Sequence, residues 1–190
     1  MAQADDIISV PDERLRQHAR RVGVITDDVL DTIETMKAAA LAWEQTRDNE
    51  VGVALAAPQI GVLERIIIVR HQPDNRDDHR FDAFINPEIT KYEGEIGAEP
   101  EGCLSVPDTY GLVPRYGAIR VSAMDTGGET FRLKTTGFLA RVLQHEIDHL
   151  RGLLFVDAVT DDAFYRLTDH GKLKALTKQE IDADRVFWNG

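Results

Sequence analysis

The chain has 190 residues, the size of a single domain that can bury a core without disulfide staples. Hydrophobic residues make up 43% and charged residues 29%, as in soluble globular proteins, and no apolar run is long enough to span a membrane. The net charge of -11 opposes binding to DNA and to anionic membranes, although a small local basic patch could still contact a ribosome. The start of the chain lacks the basic and apolar features of a targeting signal, so we expect a cytoplasmic protein.

Hydrophobic spacing predicts the elements of the first half of the chain. Residues 26–46 carry apolar side chains at helical spacing after an acidic start, which is typical of an α-helix. Residues 51–61 are small and apolar, which indicates backbone that approaches another group closely. The runs 65–70 and 83–86 are predicted strands, and Pro87 is expected to end the second one.

A hairpin and a helix are predicted next. The two strands of the hairpin are predicted at residues 116–123 and 129–133, joined by a turn at 125–128. Residues 136–151 give the strongest helical pattern, because their apolar side chains fall on one face and Gly152 follows as a stop.

The end of the chain is predicted to be mostly helical. Residues 153–156 could add a short strand, and residues 161–183 are predicted to form a helical tail that bends near Gly171. No repeat or linker interrupts the sequence, so we expect one domain over residues 1–190.

The sharpest chemical signal is the His-Glu-x-x-His pattern of His145, Glu146 and His149 on the strongest predicted helix. Residues four apart share one helical face, so both imidazoles can reach one metal ion. The carboxylate of Glu146 would then lie at the edge of the same site, where it can take a proton from metal-bound water. The competing interpretation is a solvated helix with two incidental histidines.

A hydrolytic metal usually has three protein ligands and a water molecule, so a third ligand is needed. Downstream, His170 and Glu180 are candidates, and Glu180 would suit a metalloprotease. Upstream, Cys103 is the only cysteine of the chain, so it cannot form an internal disulfide. An isolated cysteine is most often a small buried hydrophobe, but a thiolate is a strong ligand, and co-occurrence with the histidine pair favours this role.

Three blocks stand in order along the chain: Gly-Val-Ala-Leu-Ala-Ala-Pro-Gln at 52–59, Glu-Gly-Cys-Leu-Ser at 101–105 and Gln-His-Glu-Ile-Asp-His-Leu at 144–150. Together they resemble the peptide deformylases, over about residues 7–160, and in particular the bacterial type with a C-terminal helix. The resemblance implies an α+β fold, in which the metal-bearing helix packs between antiparallel β-sheets and the C-terminal tail is helical.

The resemblance also implies an activity, the removal of the N-formyl group from the initiator methionine of nascent polypeptides with release of formate. It implies one divalent metal ion per chain, typically Fe(II) in the cell, which Zn, Ni or Co can replace. The nucleophile would be metal-bound water. The metal ligands implied are Cys103, His145 and His149.

The remaining site residues follow from the same resemblance. Glu146 would be the general acid/base, and the amide of Gln59 and the backbone N–H of Leu104 would form the oxyanion hole, a role that suits such donors chemically. Glu101 and Asp148 would orient the ligands and nearby arginines. The substrate groove would be lined by Gly52, Val53, Ala54, Gly102, Phe138 and Val142, of which Val53, Phe138 and Val142 fit plain core packing equally well.

One position departs from the family pattern, because Ala54 stands where the family normally has a second glycine. Its Cβ would penalise a positive φ and fill space beside the groove. We expect Ala54 to be tolerated, provided that the backbone there is ordinary β-strand; the alternative is a narrowed groove.

Partners follow from the implied activity: formyl-Met peptides and nascent chains, with a ribosome contact and neither DNA nor a membrane. A monomer in the bacterial cytoplasm is the expected state. A non-enzymatic alternative is a relative that only binds nascent chains or the ribosome, but the presence of Glu146 argues against it.

Overall fold

The computed structural model of the chain describes residues 6–47, 50–73, 75, 77–168 and 170–188. Residues 1–5 lie outside this range, and they belong to the stretch in which no targeting signal is expected. Helix α1 is Asp27–Gln45, helix α2 is Gly137–His149 and helix α3 is Lys178–Trp188. None of the described helices combines the length and the apolarity that crossing a membrane requires.

The strands form one antiparallel sheet. Along the chain they are β1 Ala54–Ala56, β2 Ile66–Arg70, β3 Phe81–Cys103, β4 Val106–Met124, β5 Thr130–Thr136, β6 Phe164–Leu167 and β7 Leu173–Ala175. Hydrogen bonding gives the order β1-β2-β3-β4-β6-β7, and β5 pairs with β4 beside this path. From β1 to β4, strands that are consecutive in the sequence are also neighbours in the sheet.

Helix α2 is held by apolar packing on the strands. Ala140, Leu143 and Ile147 are fully buried and pack in one cluster with Ile67 of β2 and Ile119 of β4. Helix α1 packs through its own apolar stripe into a second cluster that includes the other face of β2. The α+β fold, with the helix that carries the His-Glu-x-x-His pattern among antiparallel strands, is therefore confirmed.

Strand β3 is much longer than predicted, and the expectation that it ends before Pro87 is wrong. A register shift between Ile85 and Glu88 places the proline in a β-bulge, where its missing N–H removes no ladder hydrogen bond. Asn86, at the same bulge, has a φ of 53°. The strand then continues to Cys103, and this continuation carries that residue to α2.

The C-terminal region also differs from the prediction. The segment predicted as a strand at 153–156 is not a strand, and its second half belongs to the 3₁₀ turn Phe155–Asp157. The predicted tail 161–183 is helical only from Lys178, because its earlier part forms β6 and β7, with Gly171 at the turn between them. Pairing of β6 with β4 overrides local helix propensity there, while the C-terminal helix itself is present as α3.

Candidate metal centre

The end of β3 and one face of α2 bring three donor side chains together. The ligand atoms of Cys103, His145 and His149 all lie within 4.8 Å of one another. The Cys103 Sγ is 3.2 Å from the His149 Nε2, and the two imidazole rings are 4.9 Å apart between centroids. The histidines share a helical face because they are four residues apart, and a register shift at the end of β3 turns Cys103 towards them.

This donor set fits a first-row divalent metal. One thiolate and two imidazoles are typical ligands of a hydrolytic metal site that leaves a position open. Burial lowers the pKa of His149 well below its ordinary value, so this imidazole is neutral, as a ligand must be. Burial also lowers the pKa of His145, but contacts with Cys103 and Glu101 raise it by more, so a metal that binds this imidazole would displace a proton from it.

Glu101 fixes the orientation of His145. Its carboxylate accepts a hydrogen bond from the His145 Nδ1 at 3.1 Å, which leaves Nε2 free for a metal. It also accepts two bonds of 3.0 Å from Arg115 and one of 2.7 Å from Arg141. Burial alone would raise the pKa of Glu101, but the contacts with His145 and Arg115 lower it to about 2, so the carboxylate is ionised. Arg115 in turn pairs with Asp148.

Glu146 lies beside the ligands in a dry environment. Its side chain is 5% exposed, and its Oε2 has no hydrogen-bond partner among the described residues. Burial raises the pKa of Glu146 to about 7. A carboxyl group with such a pKa can both accept and release a proton near neutral pH.

The amide of Gln59 is held in one orientation next to Cys103. Its Oε1 accepts a 2.8 Å bond from the Ala56 backbone N–H, so the NH₂ group must point the other way. That group donates to the Ser105 Oγ at 3.1 Å and lies 3.5 Å from the Cys103 Sγ. The donor is thus preorganised at the edge of the ligand cluster.

A cavity of about 300 Å³ opens onto the cluster. Its chemical end contains Gln59, Glu101, Cys103, His145 and Glu146. The rest of its wall is mostly apolar and includes Trp43, Val53, Ala54, Leu104, Phe138 and Val142. An apolar cavity with a few convergent polar groups is the usual form of a small-ligand site.

Comparisons with known proteins agree with this geometry. The family profile described as Polypeptide deformylase matches residues 4–164. The chain belongs to the peptide deformylase family. It is 45% identical to the peptide deformylase of Thermomicrobium roseum over 84% of this chain and 88% of that protein, and 41% identical to that of Tolumonas auensis over 92% and 97%.

Solved structures give the same result. The peptide deformylase from Synechococcus elongatus in complex with actinonin superposes with a TM-score of 0.73 and 36% identity, covering 82% of this chain and 80% of that one. A class I type b peptide deformylase from Acinetobacter baumannii gives a TM-score of 0.72 and 32% identity, covering 84% and 99%. Members of this family are metal-dependent hydrolases that act on formylated nascent peptides.

Two glycines of the deformylase blocks have different surroundings. Gly52 does not line the cavity: its N–H donates to Glu44 at 3.1 Å and its carbonyl accepts from Arg70 at 3.3 Å. An added Cβ at Gly52 would lie 2.7 Å from the Ala40 carbonyl oxygen, so this glycine permits close packing behind the wall. A role of Gly52 in the substrate groove stays a prediction, and the lining of this cavity does not support it. Gly102 does line the cavity.

Ala54, the departure from the deformylase pattern, lies in β1 opposite Val69. It is buried, it lines the cavity, and it is not among the described residues with positive φ. The conformational penalty expected for a positive φ therefore does not arise, which leaves only the volume of its methyl group at the wall.

Sequence reasoning missed one group at the mouth of the deformylase cavity. The Tyr110 hydroxyl donates a 2.8 Å hydrogen bond to Glu50, and both residues line the cavity. Burial and the Glu50 carboxylate raise the pKa of Tyr110. The Tyr110 ring packs on Gly102, where an added Cβ would approach it to 2.6 Å. The only signal that could have found Tyr110 is its cross-strand pairing with Gly102, which requires the β3–β4 register.

The downstream ligand candidates lie away from the centre. Glu180 accepts hydrogen bonds from the N–H and the hydroxyl of Thr177 at the start of α3. Neither Glu180 nor His170 belongs to the potential metal cluster found among the described residues. The metalloprotease alternative therefore has no structural support.

Proposed function

We propose that this chain hydrolyses the N-formyl group of the initiator formyl-methionine of nascent polypeptides, as a monomeric single-domain enzyme of the bacterial cytoplasm. The observation that carries the proposal is the convergence of Cys103, His145 and His149 beside a buried Glu146, at one end of an open cavity. The three-ligand set and the adjacent carboxyl group match the requirements of metal-assisted amide hydrolysis.

Cys103, His145 and His149 would hold one divalent ion, Fe(II) in the cell, with Zn, Ni or Co as working replacements. When bound, the ion supplies a Lewis acid that polarises the formyl carbonyl and makes water nucleophilic at neutral pH. Glu101 would keep the Nδ1–H tautomer of His145, so that the ring presents Nε2 to the ion.

Glu146 would move the proton. As water attacks the formyl carbon, its carboxylate accepts a proton from that water, and the C–O bond forms. When the C–N bond breaks, Glu146 returns the proton to the departing nitrogen of methionine, which leaves as a free amine together with formic acid, and the acid then loses its proton to give formate. Burial, which raises the pKa of Glu146 in the metal-free site, increases the proton affinity of this carboxylate, which suits both halves of the transfer.

Gln59 and Leu104 would stabilise the negative charge that develops on the formyl oxygen. The Gln59 NH₂ is already fixed by the bond from the Ala56 N–H to its Oε1 and by its own bond to Ser105. A preorganised donor of this kind contributes about 3–4 kcal/mol to the transition state. The backbone N–H of Leu104 would be the second donor.

The substrate would lie along the open side of the cavity. The methionine side chain would occupy the apolar wall formed by Val53, Phe138 and Val142. Phe138 is 55% exposed, so it would cover the pocket at its rim. The peptide backbone would add as a strand between Val53 and Gly102, a common mode of peptide recognition.

Glu146→Ala tests this mechanism. In enzyme purified without oxygen, we expect the metal content to stay at one per chain while kcat for a formyl-Met peptide falls about 10²- to 10⁴-fold. Glu95→Ala, which removes an exposed carboxylate from β3, is the matched control and should leave kcat unchanged. Unchanged turnover in metal-loaded Glu146→Ala would exclude the proposed role.

Metal analysis of the same preparation tests the cofactor proposal. We expect iron at one ion per chain and loss of activity in air, because iron and a thiolate ligand both oxidise. Zinc as the only metal in fully active, air-stable enzyme would contradict Fe(II) as the native ion.

A further inference from the structure

The outer face of β3, β4 and β5 carries a row of cations that runs across all three strands. Lys91 of β3 lies opposite Arg120 of β4, and Arg120 lies opposite Lys134 of β5. All three side chains are exposed. Like charges directly opposite one another destabilise a sheet, so folding alone does not favour this arrangement. It is more unusual in a chain with a net charge of -11.

Ion pairing within the protein neutralises only part of this row. Glu93 accepts two hydrogen bonds from Arg120, of 2.9 and 3.1 Å, and lies 3.0 Å from the Lys91 Nζ. Arg132 stands two residues before Lys134 on the same exposed face of β5. Neither Arg132 nor Lys134 makes an ion pair with any residue that the structure describes. With Glu93 and with the exposed Glu88, which lies opposite Ser122 of β4, these four cations leave a charge of about +2 on one small surface.

A shallow depression lies between the three strands, and we call it together with its rim the cationic face. It is lined by Lys91, Arg120, Arg132 and Lys134, with Thr90 and Ser122 as further polar groups, and no carboxylate lines it. Its two apolar lining residues are buried or half-buried. The face therefore offers charged donors and hydroxyls but no exposed large apolar side chain.

One further arginine, Arg65, lies near the cationic face. Arg65 donates a 2.8 Å bond to the carbonyl of Pro87, next to Glu88, which pairs with Ser122 in the sheet. Burial, together with the nearby charges of Arg21 and Arg151, lowers the pKa of Arg65. The carboxylate of Glu88 is the counter-charge to Arg65 there.

We propose that the cationic face binds the phosphate backbone of RNA. Arginine forks match phosphate oxygens in geometry, and lysines add point charges that release counterions from the backbone. The absence of an exposed apolar side chain argues against a lipid interface, which requires apolar insertion as well as charge. The acidic remainder of the surface repels a polyanion, so RNA contact would be confined to this face. The proposal does not depend on the deformylation chemistry.

Protection of a sheet edge is the competing explanation for part of this pattern. Charged side chains on edge strands prevent pairing between molecules, and β5 pairs only with β4 among the described strands. This explanation covers Arg132 and Lys134, and also Lys91, which lies in the part of β3 beyond its pairing with β2, but it does not cover Arg120 of the central strand β4. It also makes a different prediction, since removing the two β5 cations would cause self-association.

The test measures binding of a fluorescein-labelled single-stranded RNA of about 16 nucleotides by anisotropy, in the metal-loaded full chain. Arg132→Gln/Lys134→Gln removes the two unpaired cations, and we expect affinity at about 50 mM salt to fall about tenfold. The slope of log K against log salt should decrease by about 1.4, because each lost phosphate contact on a single strand contributes about 0.7.

Two controls accompany this variant. Lys172→Gln/Lys174→Gln removes the same charge from exposed positions near β7 and should leave RNA affinity within about twofold of wild type. Arg132→Lys/Lys134→Arg keeps the charge of the face and should retain binding. All three variants should deformylate a formyl-Met peptide like wild type, because their residues lie outside the catalytic cavity.

Three results would overturn the proposal. The first is the absence of RNA binding by wild type at low salt, and the second is an equal loss of affinity in the two glutamine variants. The third is self-association of Arg132→Gln/Lys134→Gln in sedimentation with unchanged RNA affinity, which would assign these cations to edge protection. Wild type that binds anionic lipid vesicles but not RNA would reassign the face to membranes.

Discussion

Replacing Glu101 by glutamine should weaken both the metal site and the fold. The Glu101 carboxylate is 6% exposed and accepts hydrogen bonds from His145, Arg115 and Arg141. Glutamine keeps one acceptor oxygen but places an NH₂ group against donors, and it removes the negative charge. Two guanidinium groups, each less than a tenth exposed, would then adjoin a site that must hold a cation.

The size of the stability loss in Glu101→Gln depends on which partners Arg115 and Arg141 keep. Removing one partner of a buried ion pair destabilises a protein by about 3–5 kcal/mol. Arg115 keeps Asp148, and Arg141 keeps the carbonyls of Val113 and Gly97, so we expect the lower end, about 3 kcal/mol. For a chain of this length that corresponds to a fall in Tm of roughly 6–12 °C. Loss of the group that orients His145 should lower metal affinity about 10- to 100-fold.

Chelator competition would measure metal affinity, and thermal unfolding of the metal-free protein would measure stability. Glu99→Gln is the matched control, because Glu99 also pairs with Arg141, at 3.2 Å, but its side chain is 67% exposed. It should change stability by less than about 0.5 kcal/mol. The reasoning is refuted if Glu101→Gln binds metal within about twofold of wild type, or if Glu99→Gln has an equal effect.

Three further predictions concern the cavity. Gly102→Ala should destabilise the protein by about 1–3 kcal/mol in thermal unfolding, because its Cβ would meet the Tyr110 ring at 2.6 Å. Adding Tyr110→Ala to this variant should recover part of the loss. Gly97→Ala is the control and should be neutral, because its Cβ would meet nothing within 4 Å. Ala54→Gly should raise kcat/KM by less than about a hundredfold and cost about 0.5–1 kcal/mol of stability in denaturant unfolding. In metal-free protein, burial raises the pKa of Glu146 from 4.5 to about 7. The protonated carboxyl therefore contributes its full stabilisation of the fold below pH 4.5, and this stabilisation is lost as the pH rises to about 7. The unfolding free energy of wild type relative to Glu146→Gln should therefore fall by about 3 kcal/mol over that range, and a pH-independent difference would contradict the burial argument.

The ligand cluster could be anticipated from sequence because much of it is local. His145, Glu146 and His149 depend only on helical spacing within α2, and that helix lies at Gly137–His149 against a predicted 136–151. Cys103 is 42 residues earlier than His145, so nothing local links them. The ordered blocks of the deformylase resemblance supplied that link, and the structure brings the three donors together.

The parts that sequence could not predict depend on register and on distant pairing. The long β3 required a bulge that takes in Pro87, and a bulge leaves no composition signal. The β6–β7 hairpin, predicted as helix, exists because β6 pairs with β4 more than fifty residues earlier in the chain. The hydrogen bond between Tyr110 and Glu50 likewise joins residues sixty positions apart in the sequence, so no local pattern predicts it.

Ala54 shows how the two kinds of information combine. From sequence it was a departure that could strain the backbone or narrow the groove. Its place in β1 opposite Val69 removes the strain, because an extended residue adopts this conformation without penalty. Its place in the cavity wall means that it can still narrow the groove, since the methyl group occupies volume that glycine would leave to the substrate. Any kinetic gain in Ala54→Gly therefore measures the width of the groove and not relief of backbone strain.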